Sequence, residues 1–435
     1  MFKILVRAKK DADAVRAALN VFYRDWNISV ETLGGVRSKE DFYSAIMEKI
    51  DQKTYNLVIV GREDYDKLML EPNLPWNTYI QPIPRQKVRN ARLPMIKNAI
   101  ERGKAKIRTT IYWRESYILG KGNGLKLDVE NHPAYDLFLL WGVHSLAMLS
   151  NYIGEVGGVA LLVRKMGGEH DVYIGPKLVA KLKIPDHGLP RGERLSPQYE
   201  ETSPDALAVA NQELLSRMEE LSISLIKDVG KDYDTVIVPW SGGRDSTATL
   251  LLTLKALGRR VKAIYVDMGL EFNITRRYVE EVAENLRVDL EIAKVDLLHY
   301  VREKGLPSHK DRWCTKLKID ALYSKIREIS SGRTLIIVGD RDAESELRSK
   351  RPFIRRHEEF VQVAPIKLWS AAHAQVYLLI NKVPLNPLYM LGFYRIGCWI
   401  CPSLRGWEKE IMRKHLMEEL KDAGEDILKK VLETV

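Results

Sequence analysis

Between Asp234 and Leu257 the hydrophobic pattern changes period within a few residues, and that change restricts the fold more than any other feature of the chain. Thr235 to Val238 is a short apolar run rich in β-branched residues, as a buried strand requires. Ser241-Gly242-Gly243 interrupts it. From Ser246 the apolar residues Leu250, Leu251, Leu254 and Leu257 recur at helical spacing, on or near one face. The order is therefore strand, glycine turn, helix. Two adjacent glycines allow a tight turn that aims successive N–H groups outward. The new helix adds its unpaired N–H groups and positive dipole end, so the turn is a seat for phosphate. No Gly-Lys-Ser/Thr follows at the Walker spacing, which excludes that type of loop. The plain alternative is a strand-to-helix turn with Ser or Asp as N-cap.

The flanking sequence continues the alternation. Asp205 to Asp228 reads as a long amphipathic helix, Arg260 to Asp267 as a strand and Ile274 to Leu286 as a helix. Val288 to Val295 reads as a strand, Cys314 to Ile329 as a helix and Thr334 to Val338 as a strand. Such alternation predicts a parallel doubly wound sheet with its ligand crevice at the C-terminal ends of the strands.

Residues 1–75 predict a small α/β domain without a phosphate fingerprint, a scaffold or docking unit. Its strands are Phe2 to Val6, Ile28 to Leu33 and Asn56 to Val60. One helix, Asp11 to Trp26, is expected to be capped by Asp11 or Asp13; a second, Ser38 to Ile50, opens on Ser38-x-x-Asp41, a loose capping box. Pro72, Pro75, Pro82 and Pro84 predict a linker. Residues 76–200 then form a basic and β-rich stretch. Arg85, Lys87, Arg89, Arg92, Lys97, Arg102, Lys104, Lys106 and Arg108 face a single acid, Glu101. Two readings stand: a solvated helix face, or a footprint for RNA or DNA phosphates. Tyr112, Trp113 and Tyr117 suit either stacking or a core. The runs 157–163 and 171–175 predict a hairpin through Gly167-Gly168, with a further strand at Val179 to Leu182. This module is similar in outline to the RNA-binding PUA fold. A second linker is expected from Pro190 to Pro204, and the tail from Trp407 to Val435 reads as amphipathic helix within a catalytic unit spanning 205–435.

The 435-residue chain carries a formal net charge of +10, which suits a polyanionic partner or an acidic small substrate. Three cysteines, an odd number, argue against a disulfide framework. No apolar run approaches a membrane span and the N-terminus reads as a strand, so a cytoplasmic location is expected.

Ser241-Gly242-Gly243-Arg244-Asp245-Ser246 resembles the PP-loop, Ser-Gly-Gly-x-Asp-Ser, of the ATP pyrophosphatase (adenine nucleotide alpha hydrolase-like) superfamily. Arg244 replaces the usual Lys, keeping the charge and changing its geometry. Further stretches resemble the phosphoadenosine phosphosulfate (PAPS) reductase branch. Val266-Asp267-Met268-Gly269-Leu270-Glu271-Phe272 is similar to its Asp-Thr-Gly-x-x-Phe segment, with Met268 for Thr. Arg312-Trp313-Cys314-Thr315-Lys316-Leu317-Lys318 is similar to Arg-Trp-Cys-Cys-x-x-Lys, with Thr315 for the second Cys. Residues 339–348 are similar to Gly-x-Arg-x-x-Glu-Ser-x-x-Arg, and Cys398-Trp-Ile-Cys401-Pro402 to the Cys-x-x-Cys of iron–sulfur members. The resemblance covers about residues 205–410. It implies a doubly wound PP-loop/PAPS reductase-like fold binding ATP or an adenylyl sulfonucleotide with Mg²⁺ through 241–246, Asp267, Gly269, Arg341, Glu344, Ser345 and Arg348. Arg341 and Arg348 would grip phosphate or sulfate bidentately, and Glu344 would orient one of them. Arg244, Asp245 and Cys314 are the expected catalytic residues.

The same resemblance implies a [4Fe–4S] cluster on Cys314, Cys398 and Cys401, with one iron open, as in cluster-dependent tRNA thiolation enzymes. His309 supports a rival Cys₃His zinc site, and three unligated thiols are the third alternative. The reductases also need a cysteine near the C-terminus, and none follows Cys401. The leading expectation is thus an ATP-using sulfurtransferase acting on RNA, such as tRNA, with an unidentified sulfur donor. A sulfonucleotide reductase and a non-catalytic nucleotide-binding regulator are the alternatives.

Overall fold

A computed structural model describes residues 2–65, 74–420 and 425–433. The first sheet is parallel throughout, in the order β2-β1-β3-β4, from β1 (Phe2–Val6), β2 (Ile28–Thr32), β3 (Tyr55–Gly61) and β4 (Thr78–Ile83). Helices α1 (Lys9–Phe22), α2 (Lys39–Lys49), the single turn α3 (Arg62–Tyr65) and α4 (Leu93–Thr109) accompany it. Ser38 caps α2 as expected, accepting from Asp41 N–H at 3.1 Å. The expected cap of α1 fails. That helix starts two residues before Asp11, after Ala8 and without a side-chain cap, and the buried Asp11 carboxylate instead accepts from Arg89 N–H at 3.0 Å.

The proline-rich stretch is no simple linker. Pro72 lies outside the described residues, but Pro82 sits within β4, opposite Val60. β4 is an edge strand, where a missing N–H removes no sheet bond. The basic run divides: Arg85, Arg89 and Arg92 stay exposed, as a solvated face requires, while its C-terminal part turns into the interior. Lys104, Lys106 and Arg108 are buried. Lys104 pairs with Asp342 at 2.7 Å and Glu101 at 3.1 Å, Lys106 donates to the Ile80 carbonyl, and Arg108 donates to the Pro133 and Tyr135 carbonyls. A helix sandwiched between domains buries the stems of its long cations and satisfies their heads on carbonyls and carboxylates.

Three two-residue strands, β5 (Tyr112–Trp113), β6 (Tyr117–Ile118) and β7 (Leu125–Lys126), form a small sheet in which Trp113 and Tyr117 are core. A five-stranded antiparallel sheet follows in the order β12-β11-β10-β9-β8. It comprises β8 (Asp136–Leu140), β9 (Ala160–Arg164), β10 (Glu169–Ile174), β11 (Lys177–Lys183) and β12 (Arg191–Arg194), with α5 (Val143–Ile153) between β8 and β9. The predicted hairpin is β9–β10; β12 occupies the first part of the second expected linker.

The fourth sheet has the order β15-β14-β13-β16-β18-β17 and is parallel apart from β17. Its strands are β13 (Thr235–Pro239), β14 (Val261–Asp267), β15 (Asp289–Lys294), β16 (Thr334–Ile337), β17 (Ile354–His357) and β18 (Phe360–Val363). Before and among them run α6 (Pro204–Gly230), α7 (Arg244–Leu257), α8 (Asn273–Leu286), α9 (Leu297–Lys304), α10 (Trp313–Ile329) and the short α11 (Glu346–Ser349). After them come α12 (Ala371–Ile380), α13 (Pro387–Leu391), α14 (Gly406–His415), α15 (Met417–Leu420) and α16 (Glu425–Glu433), so the tail is several helices and not one. Strand order reverses at β13, with β14 on one side and β16 on the other. The loop after β13 therefore opens at the topological switch point, where ligands of such sheets bind. One apolar core runs from Ile4 through Trp113 and Leu139 to Val236, joining all four sheets. Among the described residues no helix is long and apolar enough to cross a membrane.

Candidate nucleotide and thiol site

The loop is shaped by its glycines. Gly242 has φ +72°, and a Cβ there would stand 2.9 Å from Val279 Cγ2, so conformation and space both demand glycine. The buried Trp240 indole donates to Thr247 Oγ1 at 2.9 Å, tying the end of β13 to the first turn of α7. The Ser241 and Ser246 hydroxyls lie 3.1 Å apart, and Ser246 donates to the Gly243 carbonyl at 3.0 Å. Ser241 is exposed and Ser246 partly so, whereas Gly242, Gly243 and Arg244 are buried and the Arg244 N–H, first of α7, donates to Tyr389 OH at 3.1 Å. Gly339, just beyond β16, lets that strand approach closely: a Cβ there would lie 3.0 Å from the Asp245 carbonyl.

Behind the loop lies a knot of buried charges. Arg341, 1% exposed, donates from Nε and Nη2 to the two Asp245 oxygens at 2.8 and 3.2 Å and from Nη1 to Asp136 Oδ2 at 2.9 Å. Asp136, at the start of β8, also accepts from Tyr394 OH, Leu137 N–H and Ala371 N–H, each at 3.0 Å. Burial pushes the Asp136 carboxyl up, but Arg341, aided by Arg164 and Arg244, outweighs it and holds the group well below the usual carboxylate range. Asp136 and Asp245 in turn outweigh the burial of Arg341 and keep it charged.

These contacts correct two expectations. Arg341 does not present a free fork to phosphate; its donors are committed to Asp245, Asp136 and the Trp369 carbonyl. Arg244 likewise turns inward. Its guanidinium lies 5.0 and 4.9 Å from the Tyr389 and Tyr394 ring centroids and donates to the Tyr394 carbonyl at 2.7 Å. A planar cation can be sandwiched between two rings as an ammonium cannot, which accounts for Arg in place of Lys. Both arginines therefore act on the loop through Asp245 and through their field.

The remaining expected residues divide. Asp267, at the end of β14, accepts from Gly269 N–H at 2.9 Å and lies 3.5 Å from Arg276, so its carboxylate shapes the turn in which Gly269 takes φ +75°. Glu344 accepts from Arg341 N–H at 2.9 Å and pairs through its other oxygen with Arg348, so Arg348 is the guanidinium it orients. Ser345 caps the turn of α11, accepting from Arg348 N–H at 3.2 Å.

The three cysteines gather at the same edge of the sheet. Cys398 bridges to Glu271, just past β14 and one strand from the loop, and its thiol donates to Glu271 Oε1 at 3.5 Å. Cys401 follows in a turn closed by its N–H on the Cys398 carbonyl at 3.0 Å. Cys314 is the second residue of α10. All three are partly buried against one apolar cluster. Burial pushes the Cys314 and Cys398 thiols up, and Cys401 lies near enough to add to both shifts. Three neighbouring soft donors suit an iron–sulfur cluster or zinc in kind. Among the described residues, however, no group of three or more His, Cys, Asp or Glu is arranged to hold a metal ion. The His309 ring is 6.5 Å from His187, centroid to centroid.

Sequence reasoning missed Asp136, Arg164, Tyr389 and Tyr394. The available signal for Asp136 was an acid opening a run, Leu137 to Leu140, whose apolar character demands burial. The tyrosines carried none.

A glycine loop at the switch point of a doubly wound sheet, backed by buried arginine–carboxylate pairs, defines an α/β nucleotide-binding domain of the PP-loop class. Residues 235–404 match the family described as the phosphoadenosine phosphosulfate reductase domain, and this region is a PAPS reductase-like domain of the PP-loop superfamily. An uncharacterized protein of Methanocaldococcus jannaschii is 34% identical over 235 residues, covering 53% of this chain and 49% of that protein. A second from the same organism is 30% identical, covering 51% of this chain and 55% of its own length. The chain thus spans about half the length of these two relatives. The phosphoadenosine 5'-phosphosulfate reductase of Alteromonas mediterranea is 25% identical over 174 residues, 38% of this chain and 68% of that enzyme.

Proposed function

We propose that the protein is an ATP-dependent sulfurtransferase acting on RNA. The observation that supports this reading is that Cys398 bridges to Glu271, one strand from the PP-loop, with Cys314 and Cys401 packed against the same apolar cluster, an arrangement that would let sulfur chemistry and phosphate binding share one crevice. The Ser241 and Ser246 hydroxyls would receive the phosphates of ATP, joined by the Arg244 N–H once it exchanges Tyr389 OH for a phosphate oxygen, with Mg²⁺ bridging them. An exocyclic carbonyl oxygen of an RNA base attacks the α-phosphorus, and pyrophosphate leaves with the bonding electron pair. The fixed dipoles and the Arg244–Asp245–Arg341 knot stabilise that charge without reorganising. A hydrosulfide-level sulfur donor then attacks the activated carbon, forming C–S while C–O breaks and AMP departs. Cys314, Cys398 and Cys401 would hold a [4Fe–4S] cluster by drawing together, and such a cluster supplies an open site for a soft sulfur ligand.

Sulfonucleotide reduction is the second reading, favoured by the reductase named among the relatives. Mass spectrometry of tRNA nucleosides from a strain lacking the gene tests the proposal. Loss of one thiolated nucleoside is expected; an unchanged nucleoside profile together with a defect in sulfate assimilation contradicts it.

A further inference from the structure

Lys104, Lys106 and Arg108 of the basic run are enclosed while Arg85, Arg89 and Arg92 stay exposed, and a second basic segment follows the sheet strand β16. Between positions 347 and 357 the chain carries Arg348, Lys350, Arg351, Arg355 and Arg356 and no acid. It forms α11, the following turn and the outer strand β17. Gly339, which abuts the Asp245 carbonyl, is followed directly by Asp340, and on that one carboxylate Arg348, Arg351 and Arg355 converge at 3.3, 2.9 and 2.8 Å. Glu344 and Glu346 pair with Arg348 and Lys350. Five cations against three carboxylates leave the surface positive. Arg355 Nη1 is buried without a hydrogen-bond partner, a donor still to be satisfied. The side chains of Lys350, Arg351 and Arg348 are 58%, 45% and 37% exposed, and Arg356 is exposed as well. Leu347 and Ile354, at 73% and 40% exposure, flank them with apolar surface.

We propose that residues 347–357 are the docking surface for the phosphodiester backbone of the RNA acceptor, an inference that rests on the sulfurtransferase reading. Several guanidiniums share one carboxylate, so a phosphate can take up donors that Asp340 leaves unfilled, as forked cations do with phosphate oxygens. Two exposed aliphatic side chains, Leu347 and Ile354, flank the cations, so bases can be covered while the backbone is tracked. Arg348 lies near enough to feel the charge of Asp245, so an RNA strand held on the segment would have neighbouring nucleotides close to the loop.

Fluorescence anisotropy with a labelled unmodified tRNA transcript, from about 50 to about 200 mM salt, tests this. The triple variant Lys350→Ala/Arg351→Ala/Arg356→Ala is expected to lower the slope of log affinity against log salt by about 2 to 3, since each phosphate contact contributes about 0.7–0.9. Its ATP affinity, by calorimetry, should equal the parent's. The single variant Arg356→Ala, at an exposed position, should lower the slope by just under one. Arg85→Ala/Arg92→Ala should leave it unchanged. A triple variant with the parent slope, or a slope lowered instead by Arg85→Ala/Arg92→Ala, overturns the assignment. A parent that binds ATP but no RNA overturns this surface and leaves the nucleotide site standing. A parent that binds neither places the failure in the loop.

Discussion

Replacing Asp136 tests whether the antiparallel module is part of the nucleotide site. The carboxylate has no solvent exposure and accepts from Arg341 at 2.9 Å and from Tyr394, Leu137 and Ala371 at 3.0 Å each. Asp136→Ala leaves Arg341 buried with half its charge compensation and removes the acceptor of a tyrosine hydroxyl and two amides. Breaking one partner of a buried pair costs about 3–5 kcal/mol. Asp136→Asn keeps the shape and one acceptor oxygen, losing mainly the charge-assisted bond, about 1.5–3 kcal/mol. Because Arg341 also holds both oxygens of Asp245, part of that loss should reach the loop. A 1.4 kcal/mol share weakens ATP binding about tenfold. Urea unfolding followed by tryptophan fluorescence gives the stability, and calorimetry with ATP gives the affinity. Both should fall in the order parent, Asn, Ala. Stability within about 1 kcal/mol of the parent, with unchanged ATP affinity in both variants, would refute the coupling.

Gly242→Ala should abolish ATP binding by calorimetry, since φ +72° and Val279 Cγ2 at 2.9 Å together force the loop to move. Stability should fall on acidification from about pH 6.5, the usual histidine value. Burial lowers the pKa of His373 to about 4 and, with Arg164 adding to it, of His170 to about 3. Both are neutral when folded and take up protons on unfolding, so their contribution is present above about pH 6.5 and lost as pH falls towards 4 and 3. Urea midpoints between pH 5 and 7 should show the decline, and His373→Gln should flatten it. Anaerobically purified protein should carry iron and acid-labile sulfide, lost on replacing Cys314, Cys398 or Cys401 by Ala and retained in His309→Ala; one zinc and no iron would reject the cluster.

The βα unit around the loop was readable because its evidence is local: β-branched residues, two glycines and leucines at helical spacing lie within one short stretch. The cysteines were readable as a set because no others exist in the chain, and the structure brings them to one edge. The burial of Lys104, Lys106 and Arg108 at the end of the basic run is not legible locally because it is decided at a distance. Lys104 looks solvated until Asp342, far along the chain, is placed 2.7 Å away. β4 was hidden by Pro82, a residue that argues against a strand unless the strand is known to lie at an edge. Arg341 was expected to face ligand because a lone arginine in sequence shows no partner; Asp136 comes from another sheet.

The most direct test of the account is to incubate the anaerobic protein with ATP, Mg²⁺, sulfide and unmodified tRNA, and to measure pyrophosphate and nucleoside sulfur together. The account predicts pyrophosphate and AMP in step with sulfur entering one base, all abolished in Gly242→Ala. Sulfite released from an adenylyl sulfonucleotide, with no pyrophosphate formed from ATP, would contradict it.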